Sequence, residues 1–450
     1  MTSRRADFAT RRGSVGGRAW AIAACLVVSL AASPAAAQWP WDPAEPVPEP
    51  DYPDVTASVS GEPLAGRDVV VLDARPRDAY LLGHVPGALS APAAALPDVS
   101  VAAAFLGALG LSGDERIVCC GEGPDLRDAA LLFWFLEAAG AREVALLEGG
   151  MAAWARGGGP VETVEASLRP CAWAREPDSD RIATRAYVAA VYGETGHELV
   201  DTRGWDVWEG LPQEPGGERT QASGAAPSTR TGHVPHALPY DFSEFFARDG
   251  ALRSPEDTRA AFARLGPRPS NPVNLQDEFV VYGWGSEDGA IGYFLLRRAG
   301  IVKVRFYPGG FDEWVSDAES PVTRVVHAEE ILARLNREPK LLVPDTPPRS
   351  FVLLDVRHDR DFAFGHIPGA VNLQSHVFAD SLDATVARHW PEADRATVPV
   401  VSYCYGPSCI RSRNTSTMAA RAGFLNTERF YGGVEEWKGI GAPVIRTLGQ

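Results

Sequence analysis

Short blocks of consecutive apolar residues punctuate this chain near positions 69–72, 116–120, 199–200, 278–283, 352–354 and 398–404. They are rich in Val, Leu and Ile, too short for buried helices, and lack the strict alternation of a half-exposed strand, so they read as strands covered on both faces. Between them lie longer stretches of helical composition that close at Gly140, Gly300 and Gly423, where a left-handed C-terminal residue is expected. Strand and helix in alternation predict an α/β fold with parallel sheets flanked by helices.

The pattern occurs three times. Each copy opens with an apolar run ending in Asp-x-Arg (Asp73 and Arg75, Asp201 and Arg203, Asp355 and Arg357). A Gly-His-(Val/Ile)-Pro turn follows, with His84, His233 and His366, and then a second apolar run. Each copy closes on Gly-Gly with Trp four residues after the second glycine: Gly149-Gly150 with Trp154, Gly309-Gly310 with Trp314, Gly432-Gly433 with Trp437. Internal repetition of this kind means three related α/β domains, expected at 59–165, 182–325 and 326–447. Residues 38–58, 161–180 and 342–350 have linker composition, and 211–231, rich in Gly, Pro, Ser and Thr, reads as an insertion in the second copy. The Asp-x-Arg pairs and the histidines recur even in the copy without a cysteine, which argues that they organise strand ends and turns rather than react.

Together, Asp-x-Arg, Gly-His-(Val/Ile)-Pro-Gly-Ala, a strand ending in Tyr-Cys and the closing Gly-Gly-x-x-x-Trp resemble the rhodanese (thiosulfate sulfurtransferase) domain over residues 60–446. The resemblance implies three rhodanese-like domains, each a five-stranded parallel sheet flanked by helices. It also implies a cysteine that takes a sulfane sulfur from a small donor such as thiosulfate or 3-mercaptopyruvate. That sulfur would pass through a covalent persulfide to a thiol or cyanide-like acceptor.

In the third copy Cys404 stands where a strand ends and a helix is about to start, so a thiolate there faces unpaired N–H groups and the positive end of a helix. The loop that follows is Tyr405, Gly406, Pro407, Ser408, Cys409 and Ile410, with amides of Gly406 and Ser408 as expected anion donors and Arg411 as the electrostatic partner. Cys409 departs from the usual loop of the family. It could close a disulfide with Cys404, or resolve a persulfide or sulfenate on it. Arg411 follows Cys404 after six intervening residues, one more than the Cys-x5-Arg of rhodanese-fold phosphatases, so phosphatase chemistry is disfavoured.

In the first copy Cys120 is expected at the position of Cys404, with Arg127 at the same spacing, giving a second site weakened by the nearby acids Glu122, Asp125 and Asp128. The second copy has Gly283 there and no nucleophile. The vicinal Cys119 and Cys120 do not make a zinc pair, and no metal, nucleotide or flavin motif is evident.

Residues 1–37 carry five Arg ahead of an apolar run and Ser33-Pro34-Ala35-Ala36-Ala37, the form of a cleaved signal peptide, which predicts a periplasmic or secreted protein. No later stretch approaches the ~18 apolar residues of a membrane span. The net charge of −15 disfavours nucleic acid as a partner. Removing Cys25 with the leader leaves five cysteines, an odd number in an oxidising compartment. Two readings follow. One is a sulfurtransferase acting through Cys404; the other is a non-catalytic periplasmic binding, redox-sensing or sulfur-relay module that uses Cys404 and Cys409 and holds a periplasmic protein partner.

Overall fold

The computed structural model describes residues 69–123, 126–211, 230–241, 245–246, 252–264, 273–338 and 346–447. The expected leader and linker at 1–58, most of the 211–231 insertion, and Asp125 lie outside the described residues.

The first sheet contains β1 (Val69–Asp73), β2 (Leu89–Ser90), β3 (Arg116–Cys120) and β4 (Glu143–Leu146) in the order β2-β1-β3-β4. The second repeats this with β5 (His197–Asp201), β6 (Leu238–Pro239), β7 (Glu278–Tyr282) and β8 (Val304–Phe306), ordered β6-β5-β7-β8. The third adds a strand: β9 (Val322–Val326), β10 (Val352–Asp355), β11 (Val371–Asn372), β12 (Pro399–Tyr403) and β13 (Asn426–Phe430) run β11-β10-β12-β13-β9. Every strand pair is parallel. Parallel strands need crossovers, and the apolar helices between them supply the cover for both faces.

Five strands per domain is therefore corrected to five in the third domain only. In the second, the fifth position is reduced to one parallel bridge between Ile182 and Phe306, and in the first the described residues contain four strands. β9 crosses the boundary expected between residues 325 and 326, because its whole length pairs with β13 of the third sheet.

The recurring motifs are structural ties. Arg357 donates through Nη2 to Asp355 at 2.6 Å and to the Gly365 carbonyl at 2.8 Å, so the end of β10 is pinned to the Gly-His turn. Arg75 and Arg203 repeat this on Gly83 and Gly232, each at 2.7 Å. The histidines stack on an aromatic ring of the preceding helix, Tyr80 or Phe362 four residues earlier and Trp208 25 residues earlier, with Nδ1 on the carbonyl of that same residue. Trp154, Trp314 and Trp437 are buried, and each donates from Nε1 to a proline carbonyl at 2.8 Å.

Helices Arg127–Ala138 and Ser286–Arg298 bring the first two copies into one shared core. Phe133 and Phe294 meet edge to face at 5.2 Å, and Glu137 accepts from Tyr293 and pairs with Arg297. The second copy docks differently on the third. Its Gly-His turn pairs with β9 through His233 and Thr323, and its Glu198 and the His236 carbonyl receive Arg413 at 3.1 and 2.6 Å. His236 sits at φ +71°, where the first and third copies have Gly87 and Gly369. A side chain is costly in that left-handed region, and this one is held by Thr417 Oγ1 of the third domain at 3.2 Å.

Candidate active site

Strand register decides which residue of each copy occupies the site. In β10–β12 Asp355 is opposite Tyr403, in β5–β7 Asp201 is opposite Tyr282, and in β1–β3 Asp73 is opposite Cys120. Cys120 thus corresponds to Tyr403, and Gly121 is the residue that corresponds to Cys404 and to Gly283. The closing glycine pair gives the same alignment. The backbone N–H groups of Met151, Phe311 and Val434 donate to the carbonyls of Gly121, Gly283 and Cys404.

A second site at Cys120 and Arg127 is therefore corrected. A shift of one residue along a strand reverses the face on which a side chain emerges. Cys120 packs with Tyr80, Val85 and Trp154, while its neighbour Cys119 enters the core shared with the second copy. Burial, followed by the charge of Asp73, pushes the Cys120 thiol up to about 12. Glu122 is occupied by Arg75 at 3.1 Å, and Arg127 pairs with Asp288 of the second copy at 3.1 Å. Alkylation of the native protein with iodoacetamide at pH 8 should mark the exposed Cys171 and leave Cys119 and Cys120 unmodified until denaturant is added. Labelling of Cys120 in the native protein, read by peptide mass, would reopen the first copy as a site.

The second copy is closed more firmly. Helix Ser286–Arg298 begins three residues after Gly283, and a Cβ on Gly283 would lie 2.6 Å from the Gly289 nitrogen. Arg203 lies 4.6 Å from the centre of the Trp284 ring and 3.7 Å from that of Phe311, so aromatic rings cover the strand end. Gly283→Cys should lower stability and add no persulfide-forming thiol; a second sulfur-accepting peptide in that variant would contradict this account.

The third copy is the one with a cysteine at this position. β12 is buried from Val400 to Tyr403 and delivers Cys404 at its carboxyl end, 1% exposed. Helix Arg411–Arg421 starts seven residues later, leaving room for a loop whose tip, Pro407 and Ser408, is exposed. The loop is braced at its base. Gly433, at φ +54°, brings its Cα so close that a Cβ would fall 2.5 Å from the Cys404 carbonyl oxygen, which is why the second glycine of the closing pair recurs in every copy. Cys409 donates its N–H to the Gly406 carbonyl at 2.9 Å, turning the chain back toward the strand end. Cys404 and Cys409 are joined as a disulfide with Cα atoms 6.5 Å apart, within the span a disulfide bridges.

Arg411 is exposed, and its guanidinium lies 5.8 Å from the centre of the Tyr405 ring. Tyr405 in turn donates to Asp361. The cation behind the sulfur is Arg429 of β13, which sequence reading missed. Its Nε donates to Ser412 Oγ at 3.3 Å and its Nη2 to the Cys409 carbonyl at 3.5 Å, while Ser412 Oγ is 3.8 Å from Cys404 Sγ. Arg429 is buried, and no carboxylate accepts from it among the described residues. Burial and the nearby Arg413 pull it down to about 10, which leaves it a cation at neutral pH. The available signal was Glu428-Arg429 inside a strand whose neighbours read as core. Ile410 is half-buried at the helix start. Among the described residues no group of three or more His, Cys, Asp or Glu is arranged to hold a metal ion, and no helix is long and apolar enough to cross a membrane.

A three-domain α/β protein with a cysteine, Cys404, just beyond the carboxyl end of a central parallel strand in its third domain is the class that this fold and site define. The chain belongs to the rhodanese family: the family's "Rhodanese-like domain" matches residues 57–156, 184–317 and 329–440. It is 31% identical over 294 residues to the probable 3-mercaptopyruvate sulfurtransferase of Pseudomonas aeruginosa, covering 60% of this chain and 96% of that protein. It is 28% identical over 259 residues to the thiosulfate sulfurtransferase of Corynebacterium glutamicum, covering 54% and 80%. Among solved structures it is similar to the anaerobic ergothioneine biosynthesis enzyme from Chlorobium limicola, at 20% identity and a TM-score of 0.48, covering 57% of this chain and 64% of that one.

Proposed function

We propose that the protein is a rhodanese-type sulfurtransferase in which Cys404 accepts a sulfane sulfur from thiosulfate or 3-mercaptopyruvate and passes it to a thiol or cyanide-like acceptor. The observation that carries this reading is the placement of Cys404: it alone of the three equivalent positions is a cysteine, and a buried cation, Arg429, lies behind it through Ser412. A serine hydroxyl polarised by a guanidinium, together with the start of helix Arg411–Arg421, favours the thiolate and then the persulfide anion. The similarity to sulfurtransferases named for each donor supports the reaction class and leaves both donors in play. The form of residues 1–37 supports a periplasmic or extracellular setting for the reaction.

With its sulfur bonded to Cys409, Cys404 must be reduced before it can accept anything. The test is the intact mass of reduced protein after exposure to each donor, followed by peptide mapping. One added sulfur on the Cys404 peptide, or one sulfide released in its place, with neither seen in Cys404→Ser, is the expected result. No added sulfur and no sulfide from either donor would overturn the proposal. That outcome would favour the second reading, a redox-sensing or sulfur-relay module, to which the Cys404–Cys409 bond gives its support.

A further inference from the structure

We infer that Cys409 is a resolving thiol that ejects the sulfur carried by Cys404 as hydrosulfide, so that the protein releases sulfide at the expense of a dithiol. This rests on the persulfide proposed above and adds a second step to it.

Four observations lead there. The two Cα atoms lie 6.5 Å apart with the loop in its folded shape, a span that a disulfide bridges, so the attack needs no rearrangement of the strand or helix. Cys409 is held in place by its own backbone, through the Gly406 carbonyl on one side and Arg429 on the other. Both cysteines are buried, at 1% and 4% exposure, so an external thiol must reach a covered sulfur while Cys409 is tethered next to it. Arg429 serves both: it touches the Cys409 carbonyl directly and Cys404 through Ser412, and without a carboxylate partner its field is available to sulfur anions. The remaining described cysteines, Cys119, Cys120 and Cys171, are free and belong to the first copy and the segment after it.

The chemistry balances as follows. The Cys404 thiolate attacks the donor's sulfane sulfur; the new S–S bond forms as the donor's bond to that sulfur breaks, and the donor leaves with the electron pair, as sulfite when it is thiosulfate. The Cys409 thiolate then attacks Cys404 Sγ. The bond from Cys404 to the outer sulfur breaks, and that sulfur departs as hydrosulfide with the bonding pair and its proton. The two cysteines have been oxidised to the disulfide seen in the structure and the sulfane sulfur has been reduced. A dithiol reductant restores both thiols, supplying two electrons and two protons and becoming a disulfide itself. Per cycle, one sulfane sulfur and one dithiol yield one sulfide and one oxidised dithiol.

The full-length protein, reduced and freed of reductant under oxygen-free conditions, is mixed with thiosulfate in the absence of any thiol, and sulfide and peptide masses are measured. The expected result is a burst of about one sulfide per chain that then stops, with the Cys404 and Cys409 peptides joined, and continued turnover once dithiothreitol is added. Cys409→Ser, with Cys409→Ala as a second variant in case one folds poorly, should give no burst and should keep one extra sulfur on Cys404. Wild-type protein that keeps the extra sulfur on Cys404 with Cys409 still open to alkylation and no sulfide would overturn this inference while leaving the sulfurtransferase intact. If no variant acquires sulfur or releases sulfide, it is the sulfurtransferase reading that fails, and this step with it.

Discussion

Arg357→Met is expected to destabilise the third domain by about 3–5 kcal/mol, because it strands a buried carboxylate. Asp355 is fully buried and receives the backbone N–H of Arg357 at 3.0 Å, Nε at 3.0 Å and Nη2 at 2.6 Å. The same guanidinium donates to the Gly365 carbonyl, so its loss also frees the Gly-His turn from the end of β10. Arg357→Lys should recover only part of the loss, since an ammonium cannot reproduce the two-pronged contact. Asp355→Asn combined with Arg357→Met should cost less than Arg357→Met alone, as both charges are then gone. Denaturant unfolding followed by the fluorescence of the buried Trp437 reads these changes. A loss below about 1 kcal/mol for Arg357→Met would show that the pair is not the tie described.

Lowering the pH from 7 to 4.5 should remove about 2–3 kcal/mol of stability through His233 alone. Burial, opposed by the hydrogen bond to the Trp208 carbonyl and reinforced by Arg203, Arg429 and Arg413, brings this imidazole down to about 3. The folded protein keeps His233 neutral while the unfolded chain, near its ordinary 6.5, takes up a proton as the pH falls. The unfolded state therefore binds more protons between 6.5 and 3, and stability falls with pH across that window; above 6.5 the contribution is complete. Because His233 pairs with Thr323 of β9, the loss should appear where the second copy meets the third sheet. His233→Gln should show a shallower decline than wild type when unfolding midpoints are compared at pH 7 and pH 4.5. Equal slopes would show that His233 is not held neutral by the fold.

Much of the architecture was legible in residue order. The three copies could be read from Asp-x-Arg, Gly-His and Gly-Gly because each motif answers a local demand: a carboxylate and guanidinium two residues apart to close a strand end, a histidine to stack on the preceding helix, a glycine where the backbone turns left-handed. Cys404 was legible for a related reason, since a strand, a cysteine, a glycine-containing loop and a helix follow one another directly in the chain. β9 was harder to assign. It is contiguous with the second copy in sequence and joins the third sheet only by pairing with β13, a partner about a hundred residues away.

Cys120 marks the line between what the sequence determined by itself and what only the tertiary structure decided. Matched by residue type, it aligns with Cys404; matched by register against β1, it aligns with Tyr403 and leaves Gly121 at the position of Cys404. The interval to the second closing glycine held the clue, being 29 residues both from Gly121 to Gly150 and from Cys404 to Gly433. Composition along one strand fixes that a strand forms and that it is buried. Which face each side chain takes depends on hydrogen bonds to the neighbouring strand, and whether a thiol meets a cation there depends on β13, whose Arg429 reaches Ser412 from the next strand over.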